Sequence, residues 1–202
     1  MKVVLAFALV ALIAGCGSTP MKIDPTQIGE EHATLRIESP DLADLRSIPL
    51  VEQHEVDITL SRFPGCAPEK VTHDATRTLG AATLTPKDYA QDVSIPTGSE
   101  LAIHAFSNQA GLGKTDSCAM AVRFASKPGI HYVLRFKPAV SPLFVGKTAL
   151  CNMTLTEVQD GVEHPVPAAH FAVARYEGFW KGEQLDLCAA ASDRPASGAT
   201  AP

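Results

Sequence analysis

The sequence predicts an all-β fold, an antiparallel sandwich of about seven to nine short strands, on three observations. Apolar and polar residues alternate with period two in stretch after stretch, the signature of strands buried on one face. These stretches are separated by turn residues drawn from 15 prolines and 14 glycines, at the regular spacing of a sandwich. Sustained helical periodicity is almost absent.

The elements follow in order. In residues 33–38, Ala33, Leu35 and Ile37 share one face and Thr34, Arg36 and Glu38 the other, until Ser39-Pro40 stops the strand. Residues 41–50 read as a helical turn or a loop, with Ser39 as its cap and Pro49 keeping it short. Val56, Ile58 and Leu60 alternate with Asp57, Thr59 and Ser61, and this second strand ends in the turn-rich residues 63–68. Residues 77–84 form a weaker strand, interrupted by Gly80. Strands at 90–95 and 100–106 flank the turn Pro96-Thr97-Gly98-Ser99. Residues 108–117 read as a polar loop.

Residues 118–137 carry the clearest pattern. Cys118, Met120, Val122 and Phe124 lie on one face, Ser126-Lys127-Pro128-Gly129 reverses the chain, and Ile130, Tyr132, Leu134 and Phe136 follow on one face. Two matched runs around a Pro-Gly turn predict a β-hairpin with an apolar inner face. A strand at 148–158 leads to the tight-turn signal Asp160-Gly161, after which Pro165 and Pro167 permit an edge strand at best. Phe171, Val173 and Arg175 suggest another strand, and residues 184–188 a terminal one. Residues 189–202 are small and proline-bearing, the composition of a disordered tail. The arrangement is immunoglobulin-like or transthyretin-like in class, without internal repeats.

Ahead of this domain stand Lys2, the unbroken apolar run of residues 3–13, and then Ala14-Gly15-Cys16. A charged start, a short apolar core and a small-residue exit describe an export signal. The run falls well short of the ~20 residues a helix needs to span a bilayer. Ile13-Ala14-Gly15-Cys16 resembles the lipobox of bacterial lipoproteins. The resemblance implies cleavage before Cys16, diacylglyceryl transfer to its thiol and acylation of the freed amine. Gly17 stands where an inner-membrane retention aspartate would, which by the same resemblance favours the outer membrane, facing the periplasm. The expected organisation is a signal peptide at 1–15, a lipidated N-terminus and tether at 16–31, a sandwich domain at 32–188 and a tail at 189–202. The membrane is then one partner, held through lipid on Cys16. The formal charge of −5, spread without basic blocks, argues against nucleic acid as another.

Cys66, Cys118, Cys151 and Cys188 remain beyond Cys16. An even number in an exported chain reads as two disulfides; zinc sites want cysteines two to four residues apart, and none are. Spacing alone leaves three connectivities open. The arrangement Cys118, Phe124, Pro128-Gly129, Tyr132 and Cys151 resembles a pattern in small bacterial β-sandwich lipoproteins of unassigned function. That resemblance implies the pairs Cys118–Cys151 and Cys66–Cys188.

Motifs for chemistry are sparse. Gly113-Lys114-Thr115 matches the end of a phosphate loop, but Asn108 stands where its first glycine belongs, and a strand follows instead of a helix. No nucleotide partner is expected. His32, His54, His73, His104, His131, His164 and His170 show no ligand spacing; His104 and His131 fall on strands, opposite the main apolar alternation. No metal or cofactor is expected. There is no Gly-x-Ser-x-Gly elbow. Asp57, Asp74, Asp88 and Asp92 carry nothing that sets a pair ~5–9 Å apart for glycoside cleavage. Tyr176, Phe179, Trp180 and Lys181 form the candidate binding segment, since Tyr and Trp offer large rigid contact area. Trp180-Lys181-Gly182 also resembles a short segment of membrane-bound lysozyme inhibitors.

The expectation is a non-enzymatic, membrane-anchored periplasmic lipoprotein acting as an envelope or assembly accessory that binds another protein. The alternatives are a ligand-binding or inhibitory module using residues 176–181 against a glycan or a lysozyme-like enzyme, and a hydrolase with a site assembled across strands.

Overall fold

The computed structural model describes residues 18–44, 53–63, 65, 78–111, 114–138, 151–166, 169–173 and 187–188. Among the described residues, ten strands form two five-stranded sheets. Sheet I has the order β4 (Ala90–Pro96), β1 (His32–Glu38), β7 (His131–Lys137), β8 (Asn152–Gln159), β9 (Val162–Pro165). Sheet II has the order β10 (His170–Val173), β6 (Lys114–Ala125), β5 (Glu100–Gly111), β2 (Gln53–Arg62), β3 (Thr78–Leu84). Two single-turn helices, α1 (Pro25–Ile28) and α2 (Asp41–Asp44), complete the described elements. The all-β sandwich expected from the alternation is the observed fold.

The core lies between the sheets, where the predicted inner faces meet. Leu35, Ile37, Ile95, Tyr132, Leu134 and Phe136 come from sheet I, and Val56, Ile58, Leu60, Leu101, Ile103, Val122 and Phe124 from sheet II. Removing any large one of these to alanine would cost about 2–5 kcal/mol, as close-packed cores relax only partly around a void.

The predicted hairpin at 118–137 is instead an arch between the sheets. β6 pairs with β5 and β10, whereas β7 pairs with β1 and β8. The two apolar faces therefore oppose one another across the core, and the Phe124 and Tyr132 rings meet edge-on at 5.2 Å. A Pro-Gly turn with Gly129 at φ 70° suits either connection; the choice depends on which neighbours complete each sheet. The turn at 97–99 also passes from sheet I to sheet II. Ser126 Oγ donates to Pro96 O at 2.6 Å, tying the two arches together at one end of the sandwich. Because β1 and β7 both start from this end, they pair in parallel, an exception to the expected antiparallel order.

Three other expectations are corrected. Residues 108–111 and 114–117 are strand, not loop: β5 and β6 remain paired from Ser107–Cys118 out to Gly111–Lys114, and β2 joins as far as Gln53–Ala110. A backbone ladder needs no apolar side chains, so polarity misleads there. Leu187 and Cys188 lie in a turn instead of a terminal strand. The stretch expected as a free tether is a docked strap. Thr19 forms an antiparallel bridge with Thr83 of β3, and Met21 and Ile23 enter the core. The strap runs down the open side of the sandwich between edge strands β3 and β4, from the end opposite the arches towards them.

Gly80 explains how the strap fits. A Cβ there would come within 3.0 Å of the Lys22 carbonyl oxygen and of Met21 Cγ. The glycine that seemed to interrupt β3 marks a close backbone approach, and a bulge at Leu60/Ser61 of β2 adjoins it.

Candidate functional site

Cys118, on β6, and Cys151, just before β8, pair as a disulfide with Cα atoms 6.2 Å apart. The bridge joins sheet II to sheet I at the end opposite the arches. A bond closing such a loop contributes about 2–4 kcal/mol, chiefly by limiting the unfolded chain. Cys188 is also disulfide-bonded and packs partly buried against a small apolar cluster. Cys16, Cys66 and the candidate binding residues Tyr176, Phe179, Trp180 and Lys181 lie outside the described residues, as do the signal segment and the expected tail.

The polar groups singled out by sequence fall on separate surfaces. His104 sits on the outer face of sheet II, opposite Thr59 and Ala121, whereas His131 sits on the outer face of sheet I beside Thr34 and Val158. His104 and His131 therefore lie on opposite outer faces of the sandwich. Asp57 accepts a hydrogen bond from Thr83 Oγ1 on sheet II, Asp92 takes an ion pair from Arg36 on sheet I, and Asp88 accepts from Ser18 Oγ in the β3–β4 loop. Each of the three is bonded to a different partner; Asp74 lies outside the described residues. Among the described residues, no group of three or more His, Cys, Asp or Glu is placed to hold a metal ion.

Alternation names the polar face of each strand but not how the faces join. On the outer face of sheet I they form one ion-pair chain. Arg36 bridges Asp92 at 3.3 Å and Glu38 at 2.9 Å; Arg135 binds Glu38 through Nε at 2.6 Å and grips Glu163 with both terminal nitrogens, the Nη2 contact being 2.7 Å. Thr156 Oγ1 adds a bond to Glu163 at 2.9 Å. The chain thus crosses all five strands. The Arg135 guanidinium holds the Glu163 carboxyl down at about 2, and the same contact raises Arg135 itself. Hydrogen bonding to Glu38 raises Arg36. Every member of the chain pairs with another.

The outer face of sheet II differs. Ala102, Ala121 and Ala172 adjoin across β5, β6 and β10, and with Phe63 and Leu187 they form the second buried cluster. The Arg123 guanidinium lies 5.0 Å over the Phe63 ring, closing one border of the cluster by a cation–π contact.

A shallow groove of about 600 Å³ lies between the strap and β4. Met21, Ile23, Pro25, Ile28 and Val93 give it an apolar floor, with Lys22, Asp24, Asp92 and Ser94 around it. Asp24 caps α1, accepting from the Thr26 backbone N–H at 2.9 Å and its hydroxyl at 2.8 Å, and these bonds lower its pKa. β4 is an edge strand whose ladder partner is β1. Sequence reasoning missed this groove, because residues 18–31 show only one apolar-polar-apolar step, Met21-Lys22-Ile23. No helix among the described residues is long and apolar enough to cross a membrane. The chain matches no protein-family model, no curated protein and no solved structure.

Proposed function

We propose that this chain is a lipid-anchored envelope protein without catalytic activity, whose sandwich receives a segment of another envelope protein in the groove beside β4. The export signature and lipobox-like Ile13-Ala14-Gly15-Cys16 supply the address. The observation that carries the reading is the docked strap: two residues past Cys16 the chain is already bonded to the folded domain, through Ser18 to Asp88 and Thr19 to Thr83. Lipid on Cys16 would hold a rigid, disulfide-tied body at the membrane, one suited to presenting a fixed surface. The groove offers an apolar floor, flanking carboxylates and an edge strand, the parts that strand addition by an extended segment uses. Its shallow, open form suits a peptide segment better than a small reacting molecule, which needs enclosure.

The test has two arms in intact cells. The unmodified protein should sediment with membranes, and Cys16→Ser should move it to the soluble fraction; a variant that still sediments removes the anchor. A photo-crosslinker at Ser94 should capture one discrete envelope protein that a crosslinker at Val162, on the far edge of sheet I, does not. Equal capture from both positions would remove the groove as the binding surface.

A further inference from the structure

We infer that the sandwich stands end-on against a phospholipid surface, with the β3–β4 loop, residues 85–89, in the headgroup layer and the two arches turned away from it. This rests on acylation at Cys16 and adds an orientation to it. Two residues of extended chain reach at most ~7 Å, so an acylated Cys16 keeps Ser18 within that distance of the bilayer interface. Ser18 does not swing freely. Its hydroxyl donates to Asp88 Oδ2 at 2.6 Å, and Thr19 exchanges both backbone hydrogen bonds with Thr83, at 3.2 and 2.9 Å. The leash is therefore short at one end and pinned at the other. Whatever adjoins Ser18 must adjoin the bilayer.

What adjoins it is the loop that carries Tyr89. Among the described residues, two large apolar side chains are exposed, Tyr89 at 37% and Val162 at 56%. Tyr89 lies beside the strap's entry point, and its backbone carbonyl accepts from Ser39 N–H, which anchors the loop to the end of β1. A tyrosine ring with an apolar body and a polar tip suits the headgroup level of a bilayer. Val162 follows the Asp160-Gly161 turn, at the end of sheet I that also carries the arches. β4 separates the two ends, and its 7 residues span ~20 Å. The β5–β6 hairpin leaves the sandwich at the Ser18 end, so the domain meets the surface along a line from residues 85–89 to that hairpin. The groove beside β4 then runs along the flank, open to partners in the aqueous space.

The experiment uses the full acylated chain reconstituted into phosphatidylethanolamine–phosphatidylglycerol vesicles, with a nitroxide label at Y89C or at V162C. Collision rates with oxygen, which concentrates in the bilayer, and with an aqueous nickel chelate report the depth of each label. The label at position 89 should favour oxygen several-fold over the label at 162, and the Cys16→Ser form with the same labels should lose that difference. Equal accessibility at both positions in sedimenting, acylated protein overturns the orientation and leaves the anchor standing. Mass analysis that finds no acyl group on Cys16 overturns both.

Discussion

The two outer faces of the sandwich solve the same problem in opposite ways. Sheet I meets solvent with charges that satisfy one another, the chain from Asp92 through Arg36, Glu38 and Arg135 to Glu163. Sheet II carries a covering over β5, β6 and β10, with Ala102, Ala121 and Ala172 buried against Phe63 and Leu187. Both faces are the polar half of an alternating pattern. The contrast shows that alanine on a polar face is a different signal from arginine or glutamate there. A small side chain leaves room for a covering segment, and its burial adds to stability; a long charged one keeps its head in water and seeks a partner.

Exchanging the chemistry of the faces should give the largest effect. Ala121→Asp forces a carboxylate into the second buried cluster and should cost about 2–4 kcal/mol, read as a lowered denaturant midpoint. Thr34→Asp, on the outer face of sheet I beside His131, should change stability by less than about 0.5 kcal/mol. Comparable losses from both would end the distinction between covered and solvated faces.

The strap tests whether the side between the sheets is closed as firmly as the sheet II face. Gly80→Val drives a side chain into the Lys22 carbonyl and Met21, and overpacking of this kind costs about 1–3 kcal/mol. The variant should also gain protease cleavage within residues 18–28. An unchanged midpoint and cleavage pattern would mean that the strap is not held where it crosses β3.

Breaking the charge chain should matter less. Arg135→Ala strips Glu38 and Glu163 of a shared partner and should cost about 1 kcal/mol at low salt, shrinking as salt rises, because exposed pairs are screened. A loss that ignores salt would assign Arg135 a packing role instead. The smallest effect is in pH. Arg135 depresses Glu163 to about 2 in the folded chain, below the ~4.3 of a free glutamate. Its contribution is therefore present above about pH 4.3 and is lost as pH falls through about 2. Melting temperatures measured from pH 5 to pH 2 should fall slightly less steeply for Glu163→Gln than for the unmodified protein. Parallel curves would show that the pair carries no pH-dependent stability.

Most strands, their faces and the inner-core residues of the two sheets were legible in the chain, because period-two alternation is a local property; the polar ladder at 108–111 and 114–117, which lacks it, was not. The arch at Ser126–Ile130 was not: a Pro-Gly turn between two apolar faces serves a hairpin and an arch equally, and only the neighbours β5 and β10 for β6, and β1 and β8 for β7, decide between them. The strap was hidden for a related reason. Met21 and Ile23 look like isolated apolar residues in a polar stretch until edge strands β3 and β4 create a slot for them, with Gly80 leaving the space. The candidate groove followed the strap into invisibility.

By itself, then, the amino-acid order determined an all-β sandwich, its inner residues, and an N-terminal segment resembling a lipoprotein signal. Only the tertiary structure decided that Cys118 meets Cys151, that the outer faces divide into an ion-paired and a covered one, and that residues 18–31 close the side of the fold. Alternation acts between neighbours in sequence, where a strand's two faces are set residue by residue. Pairing, covering and closure act between segments distant in the chain, where the outcome depends on which surfaces remain once the core has formed.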